Sequence, residues 1–149
     1  MDKKILTYTY FAISGLSLLA LLLSITILIQ KTSYSPTINN ICSALNSQNQ
    51  CEAVQASEYS KILGIDNPWF GIFGFSTLII FARFQLLYNK KIFRRLITAG
   101  GIISGAIASY FLYLQTFIIG KYCIFCVIVD VLSIILMILS FYIIYKEYY

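Results

Sequence analysis

Tyr122-Cys-Ile-Phe-Cys-Val-Ile-Val-Asp-Val-Leu-Ser-Ile-Ile-Leu-Met-Ile-Leu-Ser-Phe-Tyr-Ile-Ile-Tyr145 is an apolar run opened by a C-x-x-C pair and interrupted by one carboxylate, Asp130. A helix needs roughly 20 apolar residues to cross a hydrocarbon core of about 30 Å, and this run supplies them. Redox dithiols are usually met in soluble domains. Here Cys123 and Cys126 stand at the mouth of an expected transmembrane helix.

Three further runs have the same character: about Ile5 to Ile29, Pro68 to about Tyr88, and about Leu96 to Ile119. Of 149 residues, 59% are hydrophobic and 11% charged, against roughly 25% charged in soluble domains. A chain so poor in charge has more apolar surface than one small core hides, so the lipid bilayer is its natural solvent. The expectation is an all-α membrane protein, a four-transmembrane-helix bundle forming a single membrane domain over 1–149. Its spans are about 5–29, 68–88, 96–119 and 122–145, with an outer loop over 31–67. The first span follows Met1-Asp2-Lys3-Lys4 but exceeds the 7–15 apolar residues of a signal peptide and lacks a small-residue cleavage site, so it is read as retained. The chain has no histidine, which excludes His-based triads, haem ligation by His and His-containing zinc sites; no metal site is expected.

The net charge of +5 does not call for nucleic acid, because the basic residues sit at helix ends. Lys3, Lys4, Lys90, Lys91, Arg94, Arg95 and Lys146 fall on one side, and Lys31, Lys61 and Lys121 on the other. The richer side is cytoplasmic by the positive-inside rule. Both termini are then cytoplasmic, and all four cysteines lie on the outer face, where disulfides persist. Thr32 to Gln50 reads as irregular. From Glu52 to Leu63, Ala53, Val54, Ala56, Tyr59, Ile62 and Leu63 recur at steps of three and four, which predicts a short amphipathic lid helix with Gly64 as its C-cap. Asn67 is expected as N-cap and Pro68 as first residue of the next span.

A cysteine at a helix start has its thiolate stabilised by backbone N–H groups and the macrodipole, and Cys123 and Cys126 are one turn apart. The bland alternatives are buried structural cysteines or half of a zinc site, for which further ligands are missing. Cys42 and Cys51 enclose eight residues. Alone they read as a loop disulfide; beside a membrane-edge dithiol they read as a mobile relay, since thiol–disulfide exchange passes electrons between such pairs. Asp130 shares a helix face with Cys126, and intramembrane carboxylates are costly and commonly functional or paired. An ion pair with Arg83 is disfavoured by an axial gap of about 12 Å. The options left are a proton relay, a hydrogen bond to a bound ring, or a buried hydrogen bond to helix three or four. Gly101, Gly105 and Ser109 form a small-xxx-small row for close packing. Trp69, Phe70, Phe73 and Phe75 read equally as pocket wall and as anchors or core, and Gln115 is a minor candidate for a ring contact.

The chain resembles the vitamin K epoxide reductase homologues, which have functional kinship with bacterial membrane disulfide-bond oxidases. The residues carrying the resemblance are Cys42 and Cys51, Ser57 six positions after Cys51, Gly64-Ile65, Asn67-Pro-Trp-Phe-Gly71 and Tyr122-Cys-Ile-Phe-Cys126. It implies a bundle that encloses a quinone of ubiquinone or menaquinone type under a loop cap. It also implies roles. Cys42 reacts with a thioredoxin-fold partner, Cys51 exchanges with Cys123, and Cys126 reduces the quinone. Ser57 assists the loop-to-membrane exchange, and Asn67 hydrogen-bonds a quinone oxygen; with Phe70 and Asp130 it completes the expected quinone site. Asp130 departs from the pattern, standing where vertebrate members carry a tyrosine, and this argues against epoxide reduction.

The function expected is therefore a thiol–quinone oxidoreductase of a prokaryotic cytoplasmic membrane that supports disulfide-bond formation. The rival readings are an epoxide or quinone reductase using the same residues, and a non-enzymatic four-helix scaffold with a structural loop disulfide.

Overall fold

The structure, a computed structural model, describes residues 3–32, 40, 44 and 50–148. Four helices are long and apolar enough to cross a membrane. They are α1 (Lys3–Thr32), α3 (Asn67–Tyr88), α4 (Lys91–Tyr113) and α5 (Ile124–Tyr148); α2 (Gln50–Ala56) is a short helix between α1 and α3. The last turns of the third span, Leu114–Ile119, are a π-helix. The first, third and fourth spanning helices run a few residues beyond their apolar stretches, because polar and charged ends such as Lys91–Arg95 continue the backbone ladder outside the hydrocarbon.

Burial follows helical spacing. On α1 the buried residues are Thr9, Tyr10, Ile13, Ser17, Ala20, Ser24 and Ile27; on α3 they are Phe75, Leu78, Ala82 and Gln85. The steps of three and four make one inward stripe per helix. Opposite faces carry Phe11, Leu18, Leu22, Ile80 and Leu87 outward, as lipid contact requires. Two buried hydroxyls are satisfied within their own helices: Ser24 donates to the Ala20 carbonyl at 2.9 Å and Ser140 to the Leu136 carbonyl at 2.8 Å, whereas Ser17 Oγ is buried without a partner. Without water in the hydrocarbon such groups need an internal acceptor.

Small residues set the helix spacing. A Cβ on Gly71 of α3 would lie 2.6 Å from Ser24 Oγ of α1; one on Gly101 of α4 would collide with Ser140 Oγ of α5, and one on Gly105 with Met137. The third member of the expected row, Ser109, is exposed, and Ala108 faces inward instead. Helical twist carries a strict four-residue row off the contact face within two turns. The α3–α4 hairpin turns on Asn89 in the left-handed region, whose N–H reaches the Gln85 carbonyl at 2.9 Å while its side chain accepts from Gln85 Nε2.

The lid differs from expectation in two places. The helix stops at Ala56, a 3-10 turn covers Glu58–Ser60, and Lys61–Ile62 pairs antiparallel with Ile65–Asp66. Leu63 and Gly64 both have positive φ, 54° and 81°, so Gly64 serves a two-residue hairpin turn and not a helix C-cap. The N-cap of α3 is Asp66, with Asn67 already helical. Asp66 makes no side-chain cap bond; its carboxylate is held by Lys31 Nζ at 2.7 Å, and Lys31 also donates to Ser60 Oγ at 3.0 Å. Gln55 Nε2 donates to Gln30 Oε1 at 3.1 Å. The C-terminal end of α1 thus fastens both α2 and the hairpin over the bundle. Cys42 and most of the stretch expected to be irregular lie outside the described residues.

Candidate functional site

Cys123 is the residue before α5, and its carbonyl accepts the first helical bond, from Val127 N–H at 2.9 Å. Its sulfur accepts from the N–H of Cys126 at 3.4 Å. This is N-cap geometry with sulfur in place of a serine oxygen, and it accounts for the spacing: the second cysteine of C-x-x-C occupies the third helical position, whose N–H the cap receives. The two thiols are in direct contact, with the Cys126 thiol donating to Cys123 Sγ at 2.7 Å.

Cys123 is fully buried, with Ile27 of α1, Val54 of the lid helix and Phe125 around it. Its thiol is held below the ordinary value of 9.0, chiefly by the hydrogen bond from the Cys126 thiol. Burial opposes that shift, while the Cys126 backbone N–H and the Gln55 side chain add to it. The lid thereby touches the chemistry, since Gln55 on α2 supports a thiolate at the head of α5. Exchange of Cys123 with a small disulfide such as dithiodipyridine is expected to rise with pH and level off below pH 9. Cys126→Ala, which removes the main donor, raises that midpoint, and Gln55→Ala raises it less; stopped-flow absorbance checks both.

Gln115 organises the neighbouring polar groups. The π-helix brings it to the bundle interior, where its Oε1 accepts from the Cys123 N–H at 3.2 Å and its Nε2 donates to Asp130 Oδ2 at 3.1 Å. Gln115 is 3% exposed and Asp130 7%. π-Turns commonly mark functional positions because they rotate one side chain out of the regular register. Asp130 therefore finds its partner on the third spanning helix. Arg83 is exposed, and the ion pair found among the described residues is Lys31–Asp66. With both ends of its amide engaged within the protein, Gln115 is a linker more than a ring ligand.

A cavity of about 590 Å³ opens beside this network, between α3, α4, α5 and the lid. Its wall is largely apolar, from Phe70, Phe73, Phe75, Leu78, Ile107 and Phe111, and its polar points include Ser57, Asn67, Gln115, Cys126 and Asp130. Size and lining suit a planar lipid-soluble ring; ligand sites typically span about 300–1,000 Å³. Asn67 Nδ2 donates to the Tyr59 carbonyl at 2.9 Å, while its Oδ1 is buried without a partner. A buried acceptor without a partner is open to a donor from a molecule lodged in the cavity. Ser57 Oγ donates to the Val54 carbonyl at 2.7 Å, closing the end of α2 over the cavity.

Ser57, Asn67, Phe70, Cys126 and Asp130, each singled out in the sequence, thus border one cavity. Trp69 does not; it stacks on Phe73 at 6.1 Å and is 43% exposed. Cys51 falls within α2, the helix whose Val54 packs on Cys123. Gln55 and Lys31 were not singled out as site residues, because a polar side chain on a lid or at a helix end looks solvated until the lid is seen to close on it.

A search of curated proteins finds no match to the chain. The model of the vitamin K epoxide reductase family matches residues 11–141, which take in the lid, α3, α4, the C-x-x-C and Asp130. With its apolar spans, its thiol pair at a helix mouth and that match, the chain belongs to the vitamin K epoxide reductase family, multi-pass membrane oxidoreductases that act on thiols and quinones.

Proposed function

We propose that the protein oxidises a thioredoxin-fold partner and delivers the electrons to a membrane quinone, ubiquinone or menaquinone in type. The observation that carries this reading is the position of the dithiol: Cys126 borders the cavity, while Cys123 meets it sulfur to sulfur beneath the lid. A dithiol so placed has one face toward the loop and one toward a lipid-soluble ring. Cys42 takes the partner's electrons, Cys51 exchanges with Cys123, and the Cys123–Cys126 disulfide re-forms as the quinone is reduced. Phe70 packs on the ring, Asn67 Oδ1 accepts from the reduced oxygen, and Ser57 holds the lid end during exchange. Both termini are cytoplasmic and the cysteines lie outside, an orientation that the basic residues at the helix ends support.

The test is quinone reduction by purified protein supplied with a reduced thioredoxin-fold protein. The outcome expected is one disulfide in the donor per quinol. Turnover of a vitamin K epoxide with dithiothreitol and none of a quinone identifies an epoxide reductase instead. No turnover of either, with cysteine variants unaltered, identifies a scaffold. Asn67→Leu removes one hydrogen bond to the reduced oxygen and is expected to lower kcat/KM for quinone about tenfold, the equivalent of about 1.4 kcal/mol.

A further inference from the structure

We propose that Asp130 carries a proton between Cys126 and the reducible ring oxygen, and that Gln115 is the positioning residue holding it there. The inference deepens the thiol–quinone reading and rests on it. Three observations converge. Asp130 and Cys126 lie one helical turn apart and border the same cavity, so a ring oxygen lodged at that face meets a sulfur and a carboxyl together. Asp130 is buried, yet its described neighbours include no cation: Arg83 is exposed, and Lys31 is committed to Asp66 and Ser60 at the lid. Finally, Gln115 spans from the Cys123 N–H to Asp130 Oδ2. A carboxyl kept in an apolar wall with an amide donor and no ion pair is suited to cycling between its two protonation states. The other titratable groups near this region are Cys126, Lys31 of α1 and Tyr59 of the lid, which border the cavity, and Cys123, which touches Cys126.

The Cys126 thiol gives its proton to the Asp130 carboxylate, and the Cys123–Cys126 S–S bond forms as two electrons pass to the ring. Asp130 hands its proton to the adjacent ring oxygen and returns to its starting state. The Cys123 proton leaves beneath the lid, and water at the cavity mouth supplies one proton to the far ring oxygen. The dithiol is oxidised, the quinone is reduced, and Asp130 is unchanged. Gln115 acts through Asp130: its two hydrogen bonds set the distance between the carboxyl and the head of α5, where the sulfurs react.

The experiment uses the full chain in lipid nanodiscs with a short-chain ubiquinone analogue and excess dithiothreitol, so that no protein partner is required. Asp130→Asn is expected to lower kcat about 100-fold, within the usual range for a lost proton-transfer group, with KM changed less than about threefold. It also removes an ionisation limb from the kcat–pH profile. Asp130→Glu restores at least about tenfold of the loss. Gln115→Ala lowers kcat about tenfold, and the Asp130→Asn/Gln115→Ala double variant is no slower than Asp130→Asn alone, because both act on one step. Should Asp130→Asn fail to accumulate, the wild-type infrared difference spectrum on quinone reduction is the second measurement, with a carboxyl band expected that shifts in Asp130→Glu. Retained kcat in Asp130→Asn, a change in KM alone, or no carboxyl band overturns the role of Asp130. Multiplying losses in the double variant overturn that of Gln115. Absence of quinone reduction in the wild type overturns the thiol–quinone reading itself and is seen before any variant is made.

Discussion

Cys126→Ala is expected to abolish quinone reduction, by at least about 10³-fold, while the folded bundle is retained. The magnitude follows from losing a reacting atom: removal of an enzyme's nucleophile alone costs up to about 10⁶ in kcat. Cys126 borders the cavity and Cys123 behind it is fully buried, so Cys123 does not replace it without repacking Phe125 and Val54. Stability survives because Cys126 is half-buried and its backbone N–H, which caps onto Cys123 Sγ, is kept. The contrast with the loop is the informative part. Cys51→Ser is expected to stop oxidation of a thioredoxin-fold donor yet leave quinone reduction by dithiothreitol within about threefold of wild type, since a small dithiol bypasses the relay. Coupled absorbance assays with the two donors separate the effects.

Gly101→Ala is expected to destabilise the α4–α5 seam by about 2 kcal/mol, within the range for overpacking a close contact. The added Cβ meets Ser140 Oγ and comes within 3.2 Å of the Leu136 carbonyl oxygen. Backbone does not give way as a flexible side chain does. Opposite Gly105 the nearest atom is Met137 Cβ, which is fixed to the α5 backbone, so Gly105→Ala is expected to cost about as much. Ser140→Ala in the Gly101→Ala background recovers only part of the loss, because the Leu136 carbonyl stays in place. Gly15→Ala, with nothing within 4 Å of its Cβ, is the neutral control. Thermal unfolding in detergent measures all four. Equal shifts for Gly101→Ala and Gly15→Ala would contradict the packing described.

The spans were legible because lipid imposes a simple rule on sequence: about 20 apolar residues, basic ends, no histidine clusters to explain. The dithiol was legible for a similar reason, as C-x-x-C at a helix start has one geometric meaning, a sulfur cap and a thiol at the third position. What sequence did not reveal is where the chain leaves periodicity. Nothing in Leu114–Ile119 announces a π-helix; the extra residue turns Gln115 inward, and only then does a polar residue in an apolar run become the link between Cys123 and Asp130. The lid misled for a related reason. Tyr59, Ile62 and Leu63 kept helical spacing, but Leu63-Gly64 adopts a left-handed pair that Gly64 permits and the hairpin requires. Asn67 lost its expected capping role by one residue, and that shift leaves its Oδ1 buried and unpartnered beside the cavity. Asp130 was seen at once as a costly carboxylate; its partner was not, because the contact spans two helices.

In the proposed function, the Cys123–Cys126 dithiol is the direct reductant of a quinone held in the cavity. An anaerobic single turnover tests it without any partner: fully reduced protein is mixed with one equivalent of a short-chain quinone, quenched with acid and an alkylating agent, and digested. One quinol is expected per Cys123–Cys126 disulfide found by mass spectrometry. Quinol formed while both cysteines are recovered alkylated, or a disulfide formed without quinol, contradicts it.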